Sequence, residues 1–396
     1  MVFMRFCMVT TFFPPLHFGG DAVWVANLAN ALADQGHDVE VVHCADAFKL
    51  LQGPVQPSPV TLRSSIRVHT LSSMAGALSP IVTQATGRSG LKRRSLESIL
   101  ASGFDVVHFH NLSLIGLDAI EMSRGVRVCT LHDYWWICPT HILFRYGREA
   151  CESRDCLRCQ VIQHRPPQLW RFGPALERAA RGIHLFLAPS EFVRSRYETS
   201  PPHIQAKVLP HFTPALSVPR QPENLASASQ PYFFFAGRLE RAKGLQEIIP
   251  LFLRTGRDLW IAGAGTYESE LRRLAGGRPE VKFLGRLTPA ELRPLYAHAV
   301  ASVVPSICYE TFGLTVLESL QAGTPAIVSA YGALPEVAAA TGNAFVYHDE
   351  AGLEAILKQV ESAGFRATWA TPNLKSYQPE QHLKRYFEYI DEVRQA

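Results

Sequence analysis

The sequence predicts an α/β protein made of two doubly wound parallel sheets joined by a linker. Three observations carry that expectation. The chain has 396 residues, and at about 150 residues per domain such a length favours two or three domains over one core. Short apolar runs alternate with amphipathic stretches of helical length, first over residues 1–212 and again over 231–378. Between the two series, residues 213–230 are rich in Pro, Ser and Ala and lack any period, as a linker does.

The first series opens with a strand over 3–9, a loop of aromatics, Pro and Gly ending in Gly19 and Gly20, and a helix that begins near Asp21 and runs to about Gln35. Further strands are expected over 38–43, 106–110, 126–131, 184–188 and 207–209, with helices over 89–101, 114–123 and 191–198. Residues 133–168, with two Trp, several Arg and four cysteines, read as an insertion on this sheet. The second series has strands over 232–236, 258–262, 282–284, 301–304 and 326–329, with helices over 245–252, 267–275, 289–298 and 315–322. A last helix over 379–396 is expected to pack back on the N-terminal domain.

Hydrophobic residues make up 47% of the chain and charged residues 19%, which supplies packed cores and excludes long disorder. The net charge of +4 is concentrated in the N-terminal half. The basic run from Arg88 to Arg94 could meet phosphates or an anionic membrane, but a solvated helix face is the commoner use and the preferred reading. The start has Arg5 inside a short apolar run and no extended apolar segment, so it does not read as a signal peptide. A cytoplasmic protein is expected, with peripheral contact at the inner face of the membrane as the alternative, no nucleic-acid partner, and an oligomeric state left open. Its eight cysteines should then be thiols or metal ligands.

The chemistry gathers in the second series. Strand 232–236 runs into Gly237, Arg238 and, five residues on, Lys243. A guanidinium fork and a mobile ammonium at the carboxyl edge of a parallel sheet suit a diphosphate. Strand 301–304 leads through Glu310, Thr311 and Phe312 to a helix that opens at Gly313, Leu314 and Thr315. Free backbone N–H groups and the positive end of the helix dipole favour phosphate oxygens there. Glu318, eight residues after Glu310, can accept from ribose hydroxyls. Gly263 and Gly265 follow one strand and Gly285 and Arg286 the next, where glycine lets backbone approach a ligand closely.

Gly-Arg-Leu-x4-Gly from Gly237, Gly-x-Gly from Gly263, Phe-Leu-Gly from Phe283 and Glu-x7-Glu from Glu310 resemble glycosyltransferase family 4 of the bacterial type. Gly19–Gly20, residues 106–111, His132, Pro189–Ser190 and the terminal helix fall in the same order, so the resemblance covers essentially the whole chain. It implies the GT-B fold, two Rossmann-like domains facing a central cleft, and transfer of a sugar from a nucleotide-diphosphate donor with retention. UDP is expected first and GDP next. The acceptor would be a polysaccharide, a lipid-linked glycan or a small molecule. The resemblance also implies a front-face mechanism with no required cofactor. Arg238 and Lys243 would bind the diphosphate, Glu310 the sugar hydroxyls and Glu318 the ribose, with backbone of Phe312, Gly313 and Leu314 on sugar and phosphate. Gly20 would close over the phosphates, and His132 would stand near the reacting sugar carbon. Two departures stand out: Pro210–His211–Phe212 replaces a Pro-Asn-Gly turn, and Cys308–Tyr309 precede Glu310 where small or acidic residues are frequent.

Cys138, Cys151, Cys156 and Cys159 put four thiols within one short segment, a spacing that suits structural zinc or an iron–sulfur cluster. Competing readings are a sugar-nucleotide epimerase or phosphorylase of the same fold, and a metal-bearing nucleotide-binding module without catalysis.

Overall fold

The computed structural model describes residues 3–17, 19–52, 61–214, 231–362, 365 and 371–395. The expected linker lies outside the described residues from 215 onward. The chain divides into two compact units. Unit 1 holds Met1–Ile142, Arg154–Phe212 and Pro379–Ala396; unit 2 holds Leu143–Ser153 and Thr213–Gln378.

Unit 1 runs β1 (Arg5–Thr10), α1 (Gly20–Asp34), β2 (Asp38–Cys44), α2 (Ala45–Gln52), β3 (Arg67–Leu71), α3 (Leu78–Thr86), α4 (Arg93–Leu100), β4 (Val106–Asn111), α5 (Asp118–Met122) and β5 (Val126–Thr130). A two-stranded hairpin, β6 (Phe144–Arg145) and β7 (Glu149–Ala150), is grouped with unit 2. Unit 1 resumes with α6 (Cys156–Ile162), α7 (Ala175–Arg181), β8 (Leu185–Ala188), α8 (Glu191–Thr199) and β9 (Lys207–Val208). Its seven strands lie in the order β3-β2-β1-β4-β5-β8-β9, parallel throughout. β1 and β4 are buried along almost their whole length, as central strands of a sheet covered on both faces must be.

Unit 2 runs β10 (Tyr232–Ala236), α9 (Leu245–Thr255), β11 (Asp258–Ala262), α10 (Glu268–Ala275), β12 (Val281–Gly285), α11 (Pro289–His298), β13 (Ser302–Val304), α12 (Leu314–Gln321), β14 (Ala326–Ser329), α13 (Leu334–Thr341), β15 (Ala344–Tyr347) and α14 (Glu350–Glu361). The order is β12-β11-β10-β13-β14-β15, again all parallel. Alternate residues of β10 point to opposite faces: Phe233 and Phe235 join one core cluster with α9, while Tyr232 and Phe234 join another with Leu295 and Tyr296 of α11. α11 starts on a capping box between Thr288 and Glu291. The terminal helix α15 (Pro379–Gln395) belongs to unit 1, where Tyr386 donates to or accepts from His108 Nδ1 at 2.9 Å.

Several elements differ from the sequence expectation. The helix over 89–101 is a 3-10 turn, Gly90–Lys92, followed by α4, and the one over 114–123 shrinks to α5. α2, β3, α3, α13, β15 and α14 were not anticipated. β3, Arg-Val-His-Thr-Leu, is largely exposed and lacks the apolar run that marks an interior strand, while β15 is apolar but only four residues long and half-buried.

Candidate active site

Both sheets reverse direction of growth between two central strands, β1/β4 in unit 1 and β10/β13 in unit 2, and in doubly wound sheets the crevice for a ligand opens beyond the carboxyl ends of those strands. In unit 2 these two loops carry Arg238, Lys243 and Glu310. The loop after β10 closes as a 3-10 turn, Arg241–Lys243, capped by Gly244 at φ 73°. The Ile307 N–H donates to the Ala242 carbonyl at 2.9 Å, which ties this turn to the loop after β13. A Cβ on Gly244 would lie 1.8 Å from the Pro305 carbonyl oxygen, so only glycine permits that approach.

The result is a short polar contact. Lys243 Nζ donates to Glu310 Oε1 at 2.6 Å, and Ser306 Oγ donates to the same oxygen at 2.5 Å. Ser306 is itself buried, and Ser329 Oγ donates to its carbonyl at 2.6 Å. Burial opposes the Glu310 charge, but the Lys243 ammonium, the two hydrogen bonds and the nearby Arg238 outweigh it and hold the carboxyl below its usual range. Burial likewise opposes the Lys243 charge, and Glu310 more than restores it. Arg238 is exposed and has no carboxylate partner among the described residues. Burial and the charge on Glu310 push the Cys308 thiol up to about 12, so it stays neutral beside the pair.

α12 begins at Gly313, whose φ of 111° turns the chain into the helix without a side-chain cap. Its first N–H groups are therefore available to an anion. Phe312 is a core residue, 5.9 Å from the Tyr377 ring centroid, so its side chain is packed inward. Leu314 and Thr315 stand half-buried in the first turn, next to Thr311 in the loop. Glu318 lies two-thirds along the helix and accepts from the Tyr296 hydroxyl at 3.1 Å. Burial raises its carboxyl to about 7.

Gly263 and Gly265 serve the scaffold first. A Cβ on Gly263 would meet the Gly237 carbonyl oxygen at 1.8 Å and one on Gly265 the Leu239 carbonyl oxygen at 2.2 Å, so these glycines let neighbouring loops pack together. Arg286 is exposed beyond β12 and makes no ion pair among the described residues.

In unit 1, Gly19 at φ 90° precedes the uncapped start of α1 at Gly20. His132 is 8% exposed, with both ring nitrogens engaged: His110 Nδ1 lies 3.0 Å from Nε2 and His211 Nε2 lies 3.1 Å from Nδ1. The His108 and His110 rings lie 4.0 Å apart, tilted by 33°, and Trp24 packs against His132, His211 and His382 at 5.1, 4.3 and 5.3 Å. Burial pushes His132 and His382 down to about 4 and His108, His110 and His211 well below their usual value, so the cluster is neutral. The departure at His211 thus fills a place in this chain of imidazoles. Beside it, a small crevice of about 10 Å³ is lined by Asn111, Asp133, Trp135 and Trp136 among others. Burial opposes the Asp133 charge, but His141, at 2.9 Å, and the Trp135 N–H hold the carboxyl below its usual range.

Of the four cysteines expected as metal ligands, Cys138 and Cys159 lie near Cys156, whose thiol is pushed up by burial and then by Cys138. Among the described residues no group of three or more His, Cys, Asp or Glu side chains could hold a metal ion. Cys138 Sγ pairs with Thr140 Oγ1 at 3.3 Å, Cys159 Sγ accepts from Gln163 Nε2 at 3.0 Å, and Cys151 falls in the stretch grouped with unit 2. The buried Arg171 guanidinium, lowered to about 10 by burial, adds its positive charge to the field at Cys156.

Ser306, Ser329, Tyr296 and the imidazole chain were not singled out in the sequence. His108 and His110, two apart in one strand and hence on one face, were the available signal for the last.

Comparisons with known proteins agree with this geometry. Residues 18–213 match the family model described as Glycosyltransferase Family 4, and residues 219–366 match Glycosyl transferases group 1. The glycogen synthase of Mycobacterium tuberculosis is 28% identical over 90% of this chain and 86% of its own length. An uncharacterized glycosyltransferase of Methanocaldococcus jannaschii is 26% identical over 84% and 82%. Among solved structures, sucrose-phosphate synthase from Thermosynechococcus elongatus superposes with a TM-score of 0.70 at 17% identity, covering 99% of this chain and 100% of that one. Anabaena HepE in complex with UDP and glucose gives 0.68 at 19%, covering 98% and 100%. Two parallel doubly wound units with a charged switch point define an enzyme of the GT-B glycosyltransferase class. The chain belongs to glycosyltransferase family 4. Among the described residues no helix is long and apolar enough to cross a membrane.

Proposed function

We propose that this glycosyltransferase moves a sugar from a nucleoside-diphosphate donor, UDP ahead of GDP, to an acceptor hydroxyl with retention of configuration. The observation that carries the reading is the Lys243–Glu310 pair beside the exposed Arg238, at the switch point of unit 2 and next to the open start of α12. In this reading Arg238, Lys243 and the α12 N–H groups bind the diphosphate. Lys243 and Ser306 occupy Glu310 Oε1, which leaves Oε2 to accept from the sugar hydroxyls. Glu318 accepts from the ribose. The carbon–oxygen bond to the diphosphate breaks while the acceptor oxygen bonds to the same face of that carbon, and the acceptor proton passes to the leaving phosphate oxygen. The cations and the helix dipole act where negative charge grows as the bond breaks.

UDP is supported by the UDP and UDP-glucose complexes of HepE, whose fold this chain shares. The relatives' names span a glycogen synthase, a D-inositol 3-phosphate glycosyltransferase and a phosphatidylinositol dimannoside mannosyltransferase, which supports a glycan, small-molecule or lipid-linked acceptor without choosing among them. For His132 to touch the sugar through a ring nitrogen, one of its imidazole bonds has to open.

The test is a thermal-shift screen against UDP, GDP, dTDP and ADP sugars, because a ligand of the native state raises apparent stability. Turnover then follows with hydroxyl acceptors in EDTA and anomer assignment by NMR. Transfer with an inverted anomer, or sugar interconversion without an acceptor, would overturn the reading. So would Glu310→Ala and Arg238→Ala variants that transfer as fast as the parent.

A further inference from the structure

α3 is built inside out for a helix at a watery surface. Ser79 and Thr83 are fully buried, and their hydroxyls lie 3.1 and 2.9 Å from the ammonium of Lys92, itself 1% exposed. Leu78, Ile81 and Val82, in contrast, are 62%, 40% and 39% exposed. An ordinary surface helix turns its apolar stripe to the core and its polar side to solvent. Here the donors and acceptors that water would have served are spent inward, and the outer side is left apolar.

The apolar area continues past the helix. Leu91, in the 3-10 turn Gly90–Lys92, is 58% exposed. Val82 lies close to that turn: a Cβ on Gly90 would sit 3.2 Å from it. Leu169 and Phe172, in the 3-10 turn Leu169–Phe172, are 65% and 69% exposed. That turn is fastened to α3 by Trp170 Nε1, which donates to the Gln84 carbonyl at 3.0 Å. Clustered apolar side chains of this size mark an interaction surface. Arg88 and Arg94 are exposed in the same stretch and have no carboxylate partner among the described residues, whereas Arg93 is held by Asp118 at 3.1 Å.

We propose that the face formed by α3 and the two 3-10 turns docks on an anionic phospholipid surface, with Leu78, Ile81 and Phe172 entering the acyl boundary and Arg88 and Arg94 meeting lipid phosphates. An apolar patch with unpaired cations beside it has the composition of an interfacial anchor. A second copy seated on the same patch would bring these arginines toward their own symmetry mates, which disfavours self-association. The nine-residue α3 can lie in the interface and is too short to span it. The docking stands apart from the donor chemistry and holds whichever acceptor is used.

The test is co-sedimentation of the full chain with vesicles of phosphatidylcholine alone and of phosphatidylcholine mixed with phosphatidylglycerol, at low and high salt. Binding is expected on the mixed vesicles, about tenfold or more tighter than on the neutral ones, and weaker at high salt. Arg88→Ser with Arg94→Ser should lower that affinity on the order of tenfold. Leu78→Ser with Ile81→Ser should abolish it. All four substitutions are at exposed positions and should leave the thermal midpoint unchanged. Equal or absent binding to both vesicle types would overturn the proposal, as would parental binding by the Leu78/Ile81 variant. A parent that is dimeric by ultracentrifugation and becomes monomeric in that variant would assign the face to a second copy instead.

Discussion

Unit 1 and unit 2 share one winding order, yet their switch points are wired in opposite ways. In unit 2 the loops after β10 and β13 hold ionised groups, Lys243 against Glu310, with Arg238 free to meet more negative charge. In unit 1 a neutral chain of imidazoles packed on Trp24 takes the corresponding place, and the Asp133 carboxylate beside it is already taken up by His141 and Asn111. A common scaffold therefore does not dictate a common electrostatic site. Side chains at the strand ends decide whether a crevice presents charge or an uncharged hydrogen-bonded lattice.

The largest expected consequence is a split response to acid. The unit 1 histidines have native values below those of the unfolded chain, so between about pH 6.5 and 4 the unfolded state binds more protons and stability falls with falling pH. Each such group costs about 1.4 kcal/mol per pH unit across that window. Glu318 works in the other direction. Its native carboxyl, raised to about 7, binds its proton more readily than the unfolded one, so unit 2 gains from acidification between about pH 7 and 4.5. Hydrogen exchange from pH 7 to 5 should loosen β4 and β5 first and leave β10 and β11 protected. Equal loss in both sheets would break the comparison.

Next in size is the charged pair. Glu310→Ala should lower turnover about 10²- to 10³-fold, the scale of losing one preorganised electrostatic contact. It also leaves the Lys243 ammonium without its partner, so the thermal midpoint should fall too. His132→Ala, which removes the middle of a neutral chain, should affect stability more than turnover. The reverse ranking of these two variants in kcat would show that unit 1 supplies the charged chemistry.

Much of this was legible before the fold was known, for a physical reason. Arg238 and Lys243 sit five residues apart, and Glu310 and Glu318 eight apart, so each half of the candidate site is a local strand-to-helix junction that pattern alone exposes. Contacts that join distant segments were not legible. Lys243 and Glu310 are 67 positions apart, and Tyr386 reaches His108 across 278. α3 was not anticipated at all, and only the structure shows that its Ser79 and Thr83 face inward on the buried Lys92.

A smaller effect should appear in the pH dependence of donor binding. If the Glu318 carboxylate accepts from ribose hydroxyls, donor affinity should weaken below about pH 7, by at most tenfold per pH unit, as the carboxyl takes up its proton. Glu318→Gln should bind more weakly at pH 8 and show a flat profile. Calorimetric titration with a nucleotide sugar at pH 6, 7 and 8 measures this directly, and an unchanged slope in the variant would remove Glu318 from the nucleotide site.

The finest test concerns Ser306, because it separates the charge of Glu310 from its aim. Lys243 and Ser306 share Oε1, so removing the hydroxyl leaves the ion pair but frees the carboxylate to rotate. A hydrogen bond to a charged group contributes about 1.5 kcal/mol or somewhat more, so Ser306→Ala should lower kcat/KM about tenfold. The loss should fall mainly on kcat if Glu310 tightens on the sugar as the bond breaks, and mainly on KM if it only holds the ground state. Ser306→Thr, which keeps the hydroxyl, should recover part of the rate. A purely structural role would instead lower the thermal midpoint in both variants and leave kcat/KM per folded molecule unchanged, and the arrangement of Ser329, Ser306 and Glu310 would then be scaffolding for the loop rather than a device for orienting a carboxylate.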